Sequence, residues 1–238
     1  KVYSADTSFT WSVSDALGTI DADGTFTAVQ TGRDVTGTLT VTYGETSCTL
    51  PVTVGSSQPF DDTKGHWAES YITELYYAGT LQGSEKNGKL YYRPDASMTR
   101  QEFIVAMMRY LGTDLSAYAS VQLPFDDSGS IASWAKSAMQ AAYQLGYLTG
   151  SKTNGKLLAK PGSTISRQEA MTILSRTKDF ADADLNVLSA FSDSGKIADW
   201  ARTALAQMSQ QKIISGSKGK LNPTGKVTRA EVAKMLYM

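Results

Sequence analysis

The 238-residue sequence has one cysteine, one histidine and no excess of either charge. With Cys48 alone, no disulfide can form within the chain, and no zinc-binding set, catalytic triad or phosphate-binding loop is visible. No apolar run approaches the roughly 20 residues that cross a bilayer. The 23 basic side chains are balanced by 23 acidic ones, which argues against a large basic face for nucleic acid. We therefore expect no nucleic-acid partner, no membrane insertion, no metal ion and no cofactor.

The zero net charge is the sum of two unlike parts. Residues 1–59 carry two basic and six acidic side chains, a net charge of −4, so residues 60–238 carry a net charge of +4. Between them, residues 55–59 (Gly-Ser-Ser-Gln-Pro) have the composition of a short flexible linker. The abrupt start of the chain, close to a predicted strand, favours a mature or truncated C-terminal piece of a larger protein.

Residues 1–57 have the pattern of a small all-β domain. Apolar and polar residues alternate over residues 10–14, 24–29, 38–43 and 48–54, and glycine-containing turn signals separate these runs. Cys48 lies in the last run, and we expect it to be a buried strand residue. The pattern predicts strands packed as a sandwich.

A repeat of about 65 residues governs the rest of the chain. Each copy has a Phe-x-Asp triplet, a Trp-Ala pair, a Gly-Ser pair sixteen residues after the tryptophan, a Gly-Lys-Leu triplet, a proline and a hydroxyl-Arg-x-Glu tetrad. The second aspartates of the triplets are Asp62, Asp127 and Asp193, and the tryptophans are Trp67, Trp134 and Trp200. The Gly-Ser pairs are Gly83 with Ser84, Gly150 with Ser151, and Gly216 with Ser217. We place the copies at residues 60–122, 123–188 and 189–238.

The spacing inside each copy predicts a helix, a short hairpin and a second helix. In the first copy, apolar residues recur at helical spacing before Gly79, which is expected to end the first helix. The Asn-Gly pairs at 87–88 and 154–155 indicate tight hairpin turns. The tetrad opens the second helix. Its expected buried face in the first copy is Phe103, Ile104, Met107, Tyr110 and Leu111.

The tetrad combines a common helix cap with an unexpected arginine. A Ser or Thr followed three residues later by Glu is a capping box, so the three glutamates are expected to be structural. The arginines, Arg100, Arg167 and Arg229, stand at the first helical position, where the helix dipole disfavours a cation. Two explanations stay open: an internal carboxylate such as the aspartate of the triplet, or an anionic ligand held by the guanidinium and the helix N-terminus together.

These motifs, in this order and at this period, resemble three tandem S-layer homology motifs, and residues 1–57 resemble a bacterial Ig-like domain of group 2. The resemblance implies a multidomain chain in which a small all-β Ig-like sandwich precedes a mainly α, pseudo-threefold module with a central three-helix bundle. It also implies grooves between adjacent copies that bind an anionic, pyruvylated secondary cell-wall polysaccharide. The tetrad arginines would lie beside the acidic sugar, and the Trp, Asp and Gly-Ser positions would line or shape the grooves.

Two functional classes follow from this sequence. The first is a non-catalytic anchor that ties a larger exported protein, such as an enzyme with an upstream domain, to the Gram-positive cell wall. The second is a structural S-layer or self-assembly segment, in which the arginines pair internally with the triplet aspartates. Catalysis by this chain itself ranks third. The third copy has Ser192 where the others have the first aspartate, and it has a shorter hairpin, so we expect its groove to be the weakest.

Overall fold

The computed structural model of the chain describes residues 9–237. Within this range it has nine strands and six α-helices. The strands are β1 (Thr10–Val13), β2 (Gly18–Ile20), β3 (Phe26–Ala28), β4 (Val35–Tyr43), β5 (Thr46–Val54), β6 (Ser84–Lys86), β7 (Lys89–Tyr91), β8 (Ser151–Thr153) and β9 (Lys156–Leu158). The helices are α1 (Glu69–Tyr77), α2 (Arg100–Tyr110), α3 (Lys136–Gln144), α4 (Arg167–Ser175), α5 (Asp199–Gln210) and α6 (Arg229–Tyr237). None of the helices in the described part is long and apolar enough to cross a membrane.

From residue 9 onward, the regular elements of the acidic N-terminal segment are strands and one short 3-10 turn. β1, β4 and β5 form an antiparallel sheet with β4 in the middle, and β2 pairs with β3. The four predicted runs correspond to β1, β3, β4 and β5, whereas β2 was not predicted. Leu17 is fully buried against β4, where a Cβ at Gly37 would lie 3.0 Å from its Cδ1 atom. The first eight residues of the predicted Ig-like domain lie outside the described residues.

Cys48 is exposed on β5, so the prediction of a buried cysteine is wrong. β5 is an edge strand of its sheet, and residues 46–51 are exposed on both of its faces. Alternation in the sequence predicts that a strand forms, but it does not tell which face a second layer covers. In the described residues no such layer lies over Cys48.

The predicted flexible linker is held from both sides by hydrogen bonds. Ser57 N–H donates to the Thr31 carbonyl at 2.9 Å, and the Tyr77 hydroxyl donates to Ser57 Oγ at 3.0 Å. Next to it, Arg33 of the β segment lies 3.5 Å from Glu74 of α1. The β segment and the first copy therefore contact each other directly.

Each copy folds as a helix, a hairpin and a second helix, in agreement with the prediction. Gly79 and Gly146, just after α1 and α3, have φ of 74° and 78°, the left-handed conformation that ends many helices. In the third copy the trimmed hairpin is reduced to a single bridge between Ser217 and Lys220. Tyr110 and Leu111 are 40 % and 37 % exposed, so their predicted burial is wrong. They lie at the end of α2, where neighbouring elements no longer cover the helix.

The three copies close into a ring. α3 packs on α2, α5 packs on α4, and α1 packs on α6, so the first helix of each copy covers the second helix of the copy before it. Just before the second helices, Met98 N–H donates to Val227, Val227 N–H to Ile165, and Ile165 N–H to Met98, at 3.1, 3.2 and 3.0 Å. This cycle of backbone hydrogen bonds relates the copies by an approximate threefold axis. Buried side chains of all three copies form one hydrophobic cluster.

Candidate functional site

The three tetrads meet around the ring, and each arginine reaches the glutamate of the next copy. The pairs are Arg100 with Glu169 (3.1 Å), Arg167 with Glu231, and Arg229 with Glu102 (3.7 Å). Every glutamate uses Oε1 for the arginine and Oε2 for its own helix cap, where it accepts the backbone N–H of Thr99, Ser166 or Thr228. One carboxylate thus completes a capping box and joins two copies.

The internal partner of each arginine is therefore a glutamate and not the aspartate of the triplet. Asp62 instead accepts the backbone N–H groups of Tyr92 and Arg93 at 2.8 and 2.7 Å. The same double contact joins Asp127 to Ala159 and Lys160, and Asp193 to Leu221 and Asn222. The second residue of each pair has φ between 52° and 58°, which the carboxylate helps to stabilise. The three aspartates shape the turn after the hairpin.

The environments of the arginines differ between copies. Arg229 donates to the carbonyl oxygens of Tyr92 (2.7 Å) and Gln82 (2.9 Å), and its guanidinium lies 4.5 Å from the centre of the Tyr92 ring. Burial raises the pKa of Tyr92 to about 12, and Arg229 opposes that shift. Burial lowers the pKa of the Arg100 guanidinium, which Glu169 opposes. In the described part of the chain, Arg100 Nε is buried without a hydrogen-bond partner.

Two grooves open between copies beside these arginines. Groove A, with a volume of about 470 Å³, lies between the second and third copies. Its polar and charged lining is Arg167, Glu231, Ser215, Ser217, Lys220, Asn222 and Lys234. Groove B, with a volume of about 410 Å³, lies between the third and first copies. Its charged lining is Arg229, Glu102, Arg93 and Arg109.

Each groove is lined by one repeated motif from each of the three copies. Groove A has Arg167 from the second copy, Gly216 with Ser217 from the third, and Trp67 from the first. Groove B follows the same rule with Arg229, Gly83 with Ser84, and Trp134. The remaining set is Arg100, Gly150 with Ser151, and Trp200, which occupies the equivalent positions but lines neither groove.

The three tryptophans are exposed to nearly the same extent, at 56 %, 57 % and 57 %. An exposed tryptophan loses hydrophobic stabilisation that burial would provide, so its recurrence at equivalent positions needs a reason other than packing. Its indole ring offers a flat apolar face with a polar edge, a surface suited to an amphipathic ligand.

Gly83 with Ser84 and Gly216 with Ser217 form the floor of the two grooves, and at the glycine of all three Gly-Ser pairs a side chain would not fit. A Cβ at Gly83 would lie 2.4 Å from Cε1 of Phe60, and one at Gly150 would lie 2.6 Å from Cε1 of Phe125. At Gly216, a Cβ would lie 2.5 Å from the Lys220 carbonyl oxygen. The phenylalanine of each Phe-x-Asp triplet therefore leaves room only for a glycine at the first position of the Gly-Ser pair.

Several residues of the site were missed by the sequence prediction. Gln101 and Gln168, inside the tetrads, accept the backbone N–H groups of Ala132 and Ala198 in the next copy, both at 3.0 Å. The groove cations Arg93, Arg109, Lys220 and Lys234 were also missed as site residues, although Lys220 belongs to the repeated Gly-Lys-Leu triplet. In residues 9–237 no cluster of three His, Cys, Asp or Glu side chains could hold a metal ion.

Comparison with known proteins gives a consistent result. A family model described as "S-layer homology domain" matches residues 59–104, 124–171 and 190–233. The chain is 28% identical over 203 residues to an amylopullulanase of Thermoanaerobacterium thermosulfurigenes, which covers 83% of this chain and 10% of that protein. It is 30% identical over 183 residues to an endoglucanase of Bacillus sp. strain KSM-635, covering 75% of this chain and 18% of that protein.

A surface-layer protein of 125 kDa from Lysinibacillus sphaericus is also similar, with 30% identity over 129 residues, or 52% of this chain and 10% of that protein. The matched segment therefore spans only between a tenth and a fifth of the length of these relatives.

Proposed function

The chain belongs to the S-layer homology domain family and is located at the extracellular cell wall or S-layer, and from this premise we propose that it is a non-catalytic anchor for an anionic secondary cell-wall polysaccharide. The polysaccharide binds in the grooves between copies, and its acidic unit is a pyruvylated sugar, as the resemblance to S-layer homology motifs implies. The observation that carries the proposal is the conjunction of a tetrad arginine, an exposed tryptophan and a Gly-Ser floor in both grooves.

The charges and shapes of the grooves support this proposal. Three cations and one carboxylate line each groove, a net charge of +2, which attracts a polyanion. The guanidinium of the tetrad lies at a helix N-terminus, where backbone N–H groups and the helix dipole favour an anion. The exposed indole ring gives the less polar face of a sugar ring a surface on which to pack. A groove of about 400 Å³ is large enough for a sugar unit.

We also propose the domain organisation that goes with an anchor. Residues 1–57 form a bacterial Ig-like spacer, and residues 60–122, 123–188 and 189–238 form the pseudo-threefold module with a central three-helix bundle. The all-β content of the spacer and the ring of copies support this division. Because relatives with enzyme names carry the matched segment as a small part of their length, we propose that this chain anchors a larger exported protein, with catalysis in a domain upstream.

A sedimentation assay with purified cell-wall sacculi tests the anchor. The wild-type chain should sediment with sacculi and stay in solution once the secondary polymer has been extracted with acid. Arg100→Ala, Arg167→Ala and Arg229→Ala combined should lose binding. Because these arginines also join the copies, a second variant with all three exposed tryptophans changed to alanine should lose binding while keeping its thermal midpoint. Undiminished binding by both folded variants would show that the grooves do not hold the polymer.

A structural S-layer or self-assembly segment is the second candidate. It is favoured by the internal pairing of the tetrad arginines, whose side chains are only 12 %, 22 % and 16 % exposed. If the arginines only hold the ring closed, a surface ligand is not needed to explain their repetition. This candidate predicts ordered assemblies of the purified chain without polymer, measured by sedimentation velocity and electron microscopy. A monomer at high concentration that binds sacculi would exclude it.

A further inference from the structure

The repeated ion pair contributes no net charge to either groove. Arg167 is bound by Glu231 in groove A, and Arg229 faces Glu102 in groove B. The positive charge of the grooves comes instead from two further cations in each. These are Lys220 and Lys234 in groove A, and Arg93 and Arg109 in groove B.

These four cations are exposed, and none has a carboxylate partner among residues 9–237. Among residues 9–237, the Arg93 side chain makes one hydrogen bond, of 3.2 Å to Ser84 Oγ, which also lines groove B. A long basic side chain that lines a cavity without an internal partner is available to an anionic ligand. The tetrad arginines, by contrast, would have to give up or share their glutamates.

Lys220 differs from its equivalent in the first copy, whereas Lys156 of the second copy is also without a carboxylate partner among residues 9–237, although Asp126 is present there and accepts the Leu157 N–H. In the first copy the equivalent Lys89 is bound by Asp61, the first aspartate of the triplet, and it does not line groove B. In the third copy Ser192 replaces that aspartate, and Ser192 Oγ donates to the Gly219 carbonyl instead. Lys220 is left unpaired and lines groove A. The groove that we expected to be the weakest therefore has a free cation at this position, with no carboxylate at residue 192 to compete for it.

Arg93 and Lys234 occupy positions that differ between copies, whereas the position of Arg109 has Arg176 in the second copy. Arg93 precedes the proline of its copy, where the third copy has Asn222. Lys234 lies five residues after its tetrad arginine, where the first copy has Val105. Grooves A and B thus reach the same net charge with different residues at different places.

We propose that these unpaired cations are the groups that bind the anion, and that they make the two grooves non-equivalent subsites. This inference rests on the proposed function. Groove B presents the two unpaired guanidiniums of Arg93 and Arg109, whose planar forks match a carboxylate with two hydrogen bonds each, so it selects the carboxylate of an acidic sugar. Groove A presents two ammonium groups beside Ile213 and Ile214. An ammonium group attracts an anion as a point charge, without the paired hydrogen bonds of a guanidinium, so anion binding in groove A is more sensitive to salt.

Calorimetric titration with a soluble fragment of the wall polymer tests this inference. Lys220→Gln with Lys234→Thr should weaken groove A, and Arg93→Asn with Arg109→Gln should weaken groove B. We expect a loss on the order of tenfold per cation removed at its own groove and no change at the other. Two of these substitutions copy a residue that another repeat already has at that position. Lys178→Gln with Lys196→Gln removes the same charge outside both grooves and should bind like the wild type.

Ser192→Asp is the sharpest single variant, since it places a carboxylate near Lys220 where the first copy has Asp61 near Lys89, and it should weaken groove A alone. Because the four cations are exposed and unpaired, all variants should keep the wild-type thermal midpoint. Wild-type affinity in both double variants, combined with loss of binding in the tryptophan variant, would overturn the inference and leave the anchor function intact. If the wild-type chain does not bind the polymer, the proposed function and this inference are both wrong.

Discussion

Glu169 of the second copy accepts the Nη1 hydrogen of Arg100 from the first copy at 3.1 Å, while its other oxygen accepts the backbone N–H of Ser166 at 2.8 Å. Burial alone would raise the pKa of Glu169, but the Ser166 donors, Arg100 and Lys226 hold it below its usual value. The carboxylate is therefore charged in the folded chain and acts on two copies at once. The tetrad is an interface motif as well as a helix cap.

A double-mutant cycle on Arg100→Met and Glu169→Gln should give strong coupling. Each single variant leaves a largely buried charge without its partner, and we expect it to lower the free energy of unfolding by about 2 kcal/mol. The coupling energy from urea unfolding should exceed about 1 kcal/mol. The exposed pair of Lys89 and Asp61 is the matched control, with expected coupling below about 0.5 kcal/mol. Equal coupling in the two pairs would contradict the interface role.

Acid should destabilise the wild type more than Glu169→Gln. Because the pKa of Glu169 is lower in the folded chain than its ordinary 4.5, its contribution to stability is present above that value and is lost as the pH falls through the folded pKa. The difference in unfolding free energy between the two proteins should therefore shrink as the pH is lowered below 4.5 and through the folded pKa. Urea unfolding at a series of pH values measures it, and parallel curves would contradict the prediction.

Gly83→Ala should cost about 2 kcal/mol of unfolding free energy, because the added methyl would overlap the buried Phe60 ring and the Tyr91 carbonyl oxygen. Gly129→Ala is the control. It has no atom within 4 Å of the added carbon and no positive φ, so its stability should change by less than about 0.5 kcal/mol. Thermal unfolding compares the two. Equal thermal midpoints for the two variants would mean that the groove floor at Gly83 accommodates the added methyl group without a loss of stability.

Single tryptophan variants should separate the two grooves. Trp67→Ala should weaken polymer binding at groove A and Trp134→Ala at groove B, each by about threefold to tenfold, because each removes one aromatic face. Trp200→Ala should leave both grooves unchanged, since it lines neither. The exposure of all three predicts stability changes within about 0.5 kcal/mol. Wild-type titration curves for Trp67→Ala and Trp134→Ala would contradict the placement of the ligand.

Alkaline pH should destabilise the chain through Tyr92. Burial raises the pKa of Tyr92 from 10.0 to about 12, so the neutral phenol is favoured in the folded state. The stability from this group is present below about pH 10 and is lost as the pH rises through 12. Tyr92→Phe should flatten this alkaline loss, although it removes the hydrogen bond from the phenol to the Arg229 carbonyl oxygen. Tyr110→Phe, at an exposed position, should leave the loss unchanged when unfolding is followed against pH.

Sequence spacing was enough to predict the local structure of the repeats. The Asn-Gly turns, the glycines after the first helices and the capping boxes all depend on residues close in sequence, and the structure has them where expected. The exposure of Cys48 and Tyr110 could not be predicted in this way, because it depends on which elements cover them.

The sequence predicted which residue types belong to the site, but it did not predict which residues pair with one another. A repeat has an arginine, a glutamate and an aspartate in every copy, and the pattern alone does not tell which copy supplies the carboxylate to Arg100. The answer depends on ring closure, which brings together residues 69 positions apart. The partner of the lysine in each Gly-Lys-Leu triplet could not be predicted either, because Lys89 is bound by Asp61 whereas Ser192 Oγ donates to the Gly219 carbonyl oxygen.

The cycle of backbone hydrogen bonds through Met98, Ile165 and Val227 has a mechanical consequence. In an open array of repeats the terminal unit touches one neighbour, so tension can peel units away one after another. Here the first copy, which carries the β segment, packs through α1 on α6 of the last copy and through α2 on α3 of the second. A pull that enters through the β segment must break two interfaces together, and the module resists load as one body.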